Sequence, residues 1–329
     1  MKGLYILDPL WLRPVYPDEL DRELAAHLTF VGPPQSARSI RQDPGLLADV
    51  EVIFSSWGMA PLDAGFLANA PRLRAVFHGA GSIRYFVTAE SWARGIVVST
   101  GHEINAVPVA EYTLAAILFG LRHGWHHASA ARTNGKFSTD RSFPGSYRST
   151  VGLISLGAVG RLVCEHLRRG DARVIAYDPL CSPARAKALG VELVGLEEIF
   201  RRAEVVSLHT PLLPETKGLI RGTHFSSMKP GATFINTARG AVVCEAEMIA
   251  ALQLRPDLQA VLDVTELEPP SPNSPLYRMT NVVLTPHIAG TCEQEAGRLG
   301  RAMADEFHRW RRGETLRYAV TEEQVARLA

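Results

Sequence analysis

Short β-branched and apolar runs alternate with amphipathic stretches from one end of the chain to the other, as parallel strands joined by crossover helices do. One series of predicted strands covers residues 4–7, 51–55, 74–78 and 96–99, separated by helical stretches such as 19–27. A second covers 152–155, 173–177, 191–194, 205–209, 233–236, 260–263 and 282–285. Between the two series, 105–122 reads as a helix with little Gly or Pro inside it. After them, 292–312 carries Ala296, Leu299, Met303 and Phe307 at helical spacing. The pattern predicts an α/β chain of two parallel-sheet domains with a binding crevice between them. The smaller is discontinuous, 1–102 plus 288–329, with its last helix packed back on it; the larger is 103–287. Residues 134–150, rich in Gly, Ser and Arg and without period, read as an arm.

Length agrees, since 329 residues exceed what one compact core usually occupies. A formal charge of +1 gives no electrostatic footprint for nucleic acid or an anionic membrane. The apolar stretch 107–121 is interrupted by Glu111 and too short to cross a bilayer, so it reads as a buried helix. The chain opens on a predicted strand, without the apolar core and cleavage site of a signal peptide. Cys164, Cys181, Cys244 and Cys292 are scattered, which argues against a disulfide framework and a zinc knuckle. A cytoplasmic location is expected.

The strand near residue 152 runs into Ser155-Leu156-Gly157-Ala158-Val159-Gly160 and then into a helical pattern. That order lets backbone N–H groups and the helix dipole hold a pyrophosphate. Gly157 allows close approach of phosphate and Gly160 allows the helix to pack on the strand. Ser155 stands where the usual motif has its first glycine. If its backbone angle is one open to any residue, replacing it with glycine is expected to change NAD affinity little and to cost some stability through added chain freedom. The next strand ends at Asp178, about twenty residues past the turn, where a carboxylate accepts from both ribose hydroxyls and repels a 2′-phosphate. NAD is therefore expected over NADP.

Charged groups follow three later strands: Arg239 after Asn236-Thr237-Ala238, Glu268 in the segment opened by Asp263, and His287 after Thr285-Pro286. Singly, each is unremarkable: a surface cation, a loop acid, a turn histidine. Together they place a guanidinium, a carboxylate and an imidazole at the carboxyl ends of successive strands, where open α/β sheets bind ligands. Hydride transfer to a carbonyl builds negative charge on its oxygen and calls for a cation and a proton donor. Arg239 can bridge carboxylate and carbonyl oxygens. His287 can give the proton, with Glu268 favouring its charged form and fixing the ring.

At these motifs the chain resembles the D-isomer-specific 2-hydroxyacid dehydrogenases, the family of phosphoglycerate and glycerate dehydrogenases. The likeness is carried by Leu208-His209-Thr210-Pro211, with Pro214-Glu215-Thr216 following; by Met228-Lys229-Pro230-Gly231 through Asn236-Thr237-Ala238-Arg239-Gly240; by Asp263 to Pro269; by Thr285-Pro286-His287-Ile288-Ala289-Gly290; and more loosely by Asn105 to Glu111. It implies a Rossmann NAD-binding domain and a smaller flavodoxin-like substrate domain, with Arg239, Glu268 and His287 catalytic. It also implies that Asp263 binds the nicotinamide carboxamide, and that His209, Thr210, Pro211, Thr216, Thr237, Ala238 and Gly290 line the cofactor with Gly157, Ala158, Val159, Gly160 and Asp178. The loop His78-Gly79-Ala80-Gly81 is expected to offer N–H groups to the substrate carboxylate. A homodimer built on the cofactor domain is expected, with the arm contributing, and no appended regulatory domain.

His78 and Ser82-Ile83-Arg84 depart from the family pattern, and with Trp57 they point to a polar or bulky substrate group. Formate dehydrogenases of this superfamily carry glutamine where this chain has Glu268, which counts against formate; phosphite oxidation and an NAD-binding regulatory module remain alternatives. His123, His126 and His127 lie within helical reach of one another but lack a nearby acid ligand, so no metal is expected. Trp92, like Trp57, reads as core or cleft wall.

Overall fold

The computed structural model describes residues 1–137, 139 and 141–325. Positions 138 and 140 of the predicted arm, and 326–329 at the end of the predicted smaller domain, lie outside the described residues. The chain divides into two compact units, Met1–Asn105 with Thr291 onward, and Ala106–Gly290.

The first unit contains β1 (Lys2–Ile6), β2 (Thr29–Phe30), β3 (Val52–Ser55), β4 (Ala75–His78) and β5 (Val97–Thr100). The second contains β6 (Thr150–Ile154), β7 (Arg173–Tyr177), β8 (Glu192–Leu193), β9 (Val205–Leu208), β10 (Thr233–Asn236), β11 (Gln259–Leu262) and β12 (Val282–Leu284). The last strand, β13 (Ala319–Val320), returns to the first sheet and pairs antiparallel with β5. The first sheet runs β2-β1-β3-β4-β5-β13, the flavodoxin-like order with one strand added, and the second runs β8-β7-β6-β9-β10-β11-β12, the Rossmann order. The expected fold class holds: α/β, with two doubly wound sheets.

Helices cover both faces of each sheet, so the central strands are buried along their whole length and mostly apolar rather than alternating. In the second unit one apolar layer gathers Phe200, Phe225 and Phe234, and the opposite layer gathers Ile117, Val163 and Leu167. In the first, helix Glu293–Arg311 lays Phe307 against Phe54 and Phe77, at 5.4 and 5.9 Å between ring centroids. Gly300 of that helix lets it close on residues 12–15, because a Cβ there would lie 1.7 Å from Val15 O. The helix Gly124–Asn134, and β2 and β13, were not expected from the sequence. Among the described residues no single helix is long and apolar enough to cross a membrane; the bent pair His102–Gly120 and Gly124–Thr133 meets the criteria of length and composition together.

Strand register sets the site. Across the second sheet Tyr177, Ile154, Leu208, Asn236, Leu262 and Leu284 are successive Cα partners. The chain leaves that single rung at Asp178, Ser155, His209, Thr237, Asp263 and Thr285. Across the first sheet the corresponding rung is Ile6, Ser55, His78 and Thr100.

Candidate active site

The glycine turn lies where strand order reverses, between β6 and β9. Ser155 adopts φ 76°, the left-handed region, so the turn demands what glycine adopts freely and the serine is not in an ordinary conformation. Its hydroxyl meets that of Thr210 at 2.9 Å. Gly157 caps helix Ala158–Leu167, whose first turn has no acidic residue and no side-chain cap. A Cβ at Gly157 would face open space, whereas one at Gly160 would lie 2.2 Å from Ser155 O. The turn therefore has an uncovered face at a helix N-terminus of ten residues, which fits a pyrophosphate. Asp178 Oδ2 accepts from Leu156 N–H at 2.7 Å and Oδ1 from Leu180 N–H at 2.8 Å. The acid thus fixes the turn itself, with lone pairs left for ribose hydroxyls.

His209 Nε2 is buried without a hydrogen-bond partner, and burial pushes the ring down to about 4. A neutral ring there leaves one polar atom unspent beside the turn, a further feature that suits a bound nucleotide. Thr216 is turned to its own loop: its hydroxyl donates to Pro211 O at 2.6 Å and accepts from Leu213 N–H at 2.8 Å. Thr237 Oγ1 meets Thr113 Oγ1 at 3.1 Å, and Ala238 N–H donates to Asn236 Oδ1 at 3.0 Å.

Past that bond Arg239 leaves β10. Its guanidinium donates to Ala238 O at 2.7 Å, and burial lowers its pKa, opposed by the charge of Glu268. Guanidinium stays charged under any such shift. Gly240 allows no side chain, since a Cβ would come within 1.9 Å of the Thr265 backbone, so the β10 and β11 loops touch here.

His287 Nδ1 and Glu268 Oε2 are 2.7 Å apart, with half-exposed side chains. Asp263, Thr285 and His287 line a pocket of about 420 Å³ with Glu268, Pro269 and Tyr277. Asp263, buried at the end of β11, takes three donors: Thr285 Oγ1 at 2.7 Å and Ile288 N–H at 2.9 Å on Oδ1, and Ala289 N–H at 2.9 Å on Oδ2. His287, at φ 54°, also donates its N–H to Asp263 O at 2.9 Å. Asp263 is thus the clamp of the histidine loop, a part that sequence reasoning did not assign to it. Tyr112, whose hydroxyl meets Thr285 Oγ1 at 2.8 Å, extends the clamp to helix His102–Gly120. Nothing local in the sequence marks Tyr112, and Thr285 stood only as the start of the His287 motif; their link to Asp263 exists only across strands. Gly290 closes this loop at the unit's end.

In the first unit the expected substrate loop is built differently from expectation. His78 is fully buried, its Nδ1 2.8 Å from Ser55 Oγ, and burial pushes it down to about 3, so its ring supports the loop from beneath. Gly79 N–H donates to Ser55 O and Ala80 N–H to His78 O, both at 2.8 Å, and both donors are spent. Gly81 N–H and its successors on Ser82 and Ile83 donate to no acceptor among the described residues. The open donors therefore begin where the predicted segment ends. A Cβ on Gly79 would lie 2.7 Å from Val15 Cγ1, which explains the glycine.

A larger pocket, about 510 Å³, is lined by His123, His126, His127 and Asp257. No group of three His, Cys, Asp or Glu residues among those described could hold a metal ion, and Asp257 is paired with Arg255 at 2.8 Å. Trp92 packs on the first unit's core.

A family model described as the NAD binding domain of D-isomer specific 2-hydroxyacid dehydrogenases matches residues 114–289, more than half of the chain. The D-3-phosphoglycerate dehydrogenase of Mycobacterium tuberculosis is 35% identical over 270 residues, covering 79% of this chain and 49% of that protein. That of Archaeoglobus fulgidus is 33% identical over 260 residues with the same coverage. The chain spans about half the length of these curated relatives. Among solved structures, a phosphoglycerate oxidoreductase from Rhizobium etli has a TM-score of 0.80 at 23% identity, covering 98% of this chain and 99% of that one. A Thermus thermophilus protein has a TM-score of 0.76 at 26% identity, covering 98% and 100%.

Proposed function

This chain belongs to the D-isomer specific 2-hydroxyacid dehydrogenase family, and we propose that it interconverts a 2-keto acid and a D-2-hydroxy acid. The observation that carries the reading is the 2.7 Å contact of His287 with Glu268 on the rung that also launches Arg239. NAD, the cofactor of the matched domain, supplies or accepts a hydride when bound. Gly157 to Gly160 hold its pyrophosphate and Asp178 its adenosine ribose. Arg239 binds the acid and balances charge on the carbonyl oxygen. His287 gives a proton from Nε2 in reduction and takes it back in oxidation. Glu268, on Nδ1, keeps the ring in the tautomer that leaves Nε2 for this exchange. Gly81 to Ile83 recognise the substrate carboxylate through backbone N–H groups.

We further assign a cytoplasmic homodimer built on the second unit. Exposed Leu118, Phe119, Phe137 and Tyr147, around the helix His102–Gly120 and the arm, support that surface. Light scattering of the purified protein tests it: a dimer mass is expected, a monomer at micromolar concentration contradicts it.

The activity is tested by following NADH oxidation with glyoxylate, pyruvate, hydroxypyruvate and phenylpyruvate. Steady turnover with at least one of them is expected, with NADH more efficient than NADPH because Asp178 opposes a 2′-phosphate. NADH binding without turnover of any acid favours a regulatory module instead, and an equal or better efficiency with NADPH removes the role given to Asp178.

A further inference from the structure

On the sheet edge where β4 leads to the open N–H groups of Gly81 to Ile83, the segments leaving β1, β3 and β4 carry an aromatic rim. Trp11 follows β1 and Trp57 follows β3, and their ring centroids are 4.3 Å apart. The two segments are tied together by Asp8 N–H, which donates to Trp57 O at 2.7 Å. Tyr85 follows β4, with its hydroxyl donating at 3.4 Å to the carbonyl of Ser56, the residue before Trp57. Its ring packs at 5.3 Å from Phe86 and 6.2 Å from the buried His78. Tyr85 is nevertheless 46% exposed, and Leu10, next to Trp11, is 80% exposed. Large apolar side chains kept in water beside uncommitted polar donors are what a ligand with one charged and one apolar end requires.

The rim is poor in cations. In the segments 7–11, 56–62 and 79–88, which leave β1, β3 and β4, Arg84 is the only lysine or arginine. Its guanidinium donates to Val325 O at 3.3 Å. Beyond β5, His102 lies 4.0 Å from the carboxylate of Glu103. Asp8 adds a negative charge to the rim itself. A phosphate dianion calls for paired Arg or Lys donors, which this arrangement does not offer.

We propose that the substrate is a 2-keto acid with an aromatic or similarly bulky apolar side chain, its carboxylate on the N–H groups of Gly81 to Ile83 and its side chain against Trp57, Tyr85 and Trp11. This rests on the oxidoreductase reading and parts company with the phosphorylated substrate that the names of the curated relatives suggest. Burying one aryl ring in such a rim is worth roughly a tenfold to hundredfold gain in kcat/KM.

The test compares phenylpyruvate, pyruvate and 3-phosphohydroxypyruvate with NADH, in the wild type and in Tyr85→Ala and Trp57→Ala. Phenylpyruvate is expected to exceed both others at least tenfold in kcat/KM, and the phenylpyruvate-to-pyruvate ratio to fall at least fivefold in Tyr85→Ala. Tyr85 is half exposed, so this variant keeps the fold even where Trp57→Ala does not, which circular dichroism checks. A preference for pyruvate or phosphohydroxypyruvate overturns the proposal and leaves the oxidoreductase reading standing. Absence of turnover with all three, and with glyoxylate and hydroxypyruvate as well, overturns that reading instead; wherever none of the three turns over, calorimetric titration of the acids into the NADH-loaded protein decides this one. Phenylpyruvate binding at least tenfold tighter than phosphohydroxypyruvate, and weakened by Tyr85→Ala, supports it; equal or reversed affinities overturn it.

Discussion

Left-handed backbone costs an L-residue about 1–2 kcal/mol, and Ser155, at φ 76°, bears that cost at the centre of the nucleotide turn. Its hydroxyl offsets part of it through Thr210 at 2.9 Å, a bond worth about 1 kcal/mol. Ser155→Gly removes strain and bond together, so urea denaturation should place it within about 1 kcal/mol of the wild type. Ser155→Ala loses the bond and keeps the strain, and should be about 1 kcal/mol less stable than the glycine variant. Equal stability of the two would mean that the angle carries no cost. The sequence marked this position as unusual but not its conformation, because φ here depends on how Gly160 and Tyr177 hold the turn from either side: Ser155 N–H donates to Tyr177 O at 2.8 Å. The same holds for Asp263. Its place after a strand was legible, while its three donors come from residues 285, 288 and 289 and take shape only when β11 and β12 pair.

At the scale of elements, strands were legible where both faces are covered, since a mostly apolar run such as Val205–Leu208, with Ser207 its one polar residue, then stops abruptly at a polar loop. That is why Arg239, Glu268 and His287 could be placed after successive strands from sequence alone. Strands β2 and β13, two residues each, are too short to show any period. Helix Gly124–Asn134 has no buried residue among those described and hence no apolar stripe. The closing elements are held instead by Glu306. Its buried carboxylate accepts from Ser99 Oγ at 3.1 Å and from Arg317 and Tyr318 N–H at 3.0 and 2.9 Å. Glu306→Ala leaves these donors without their acceptor and should cost on the order of 2–3 kcal/mol in chemical denaturation, with segment 317–325 gaining fast amide exchange. A loss below about 0.5 kcal/mol would show that water replaces the carboxylate fully.

Over the whole molecule, burial keeps two histidines neutral, one under each rung: His78 pushed down to about 3 and His209 to about 4. An unfolded histidine takes up its proton near pH 6.5, so as pH falls below that value the unfolded chain binds protons that the native one refuses. Stability from these groups is therefore complete above about pH 7 and declines as pH drops toward 4. Glu23, lowered to about 2 mainly by its hydrogen bonds from Arg301, adds to the loss only further into acid, from the ordinary glutamate range downward. Melting temperatures measured from pH 8 to pH 4 should fall through this window, with a shallower fall in His209→Gln; a slope identical in variant and wild type would contradict the burial of that ring.

The central claim is that His287, held by Glu268, is the proton donor and acceptor. It is tested most directly by the turnover of His287→Ala with the best 2-keto acid, measured beside the variant's NADH dissociation constant. Proton transfer contributes roughly a hundred- to ten-thousand-fold, so kcat should fall by that factor in both directions while NADH binds as in the wild type. Turnover within about tenfold of wild type, with NADH affinity intact, would contradict the account.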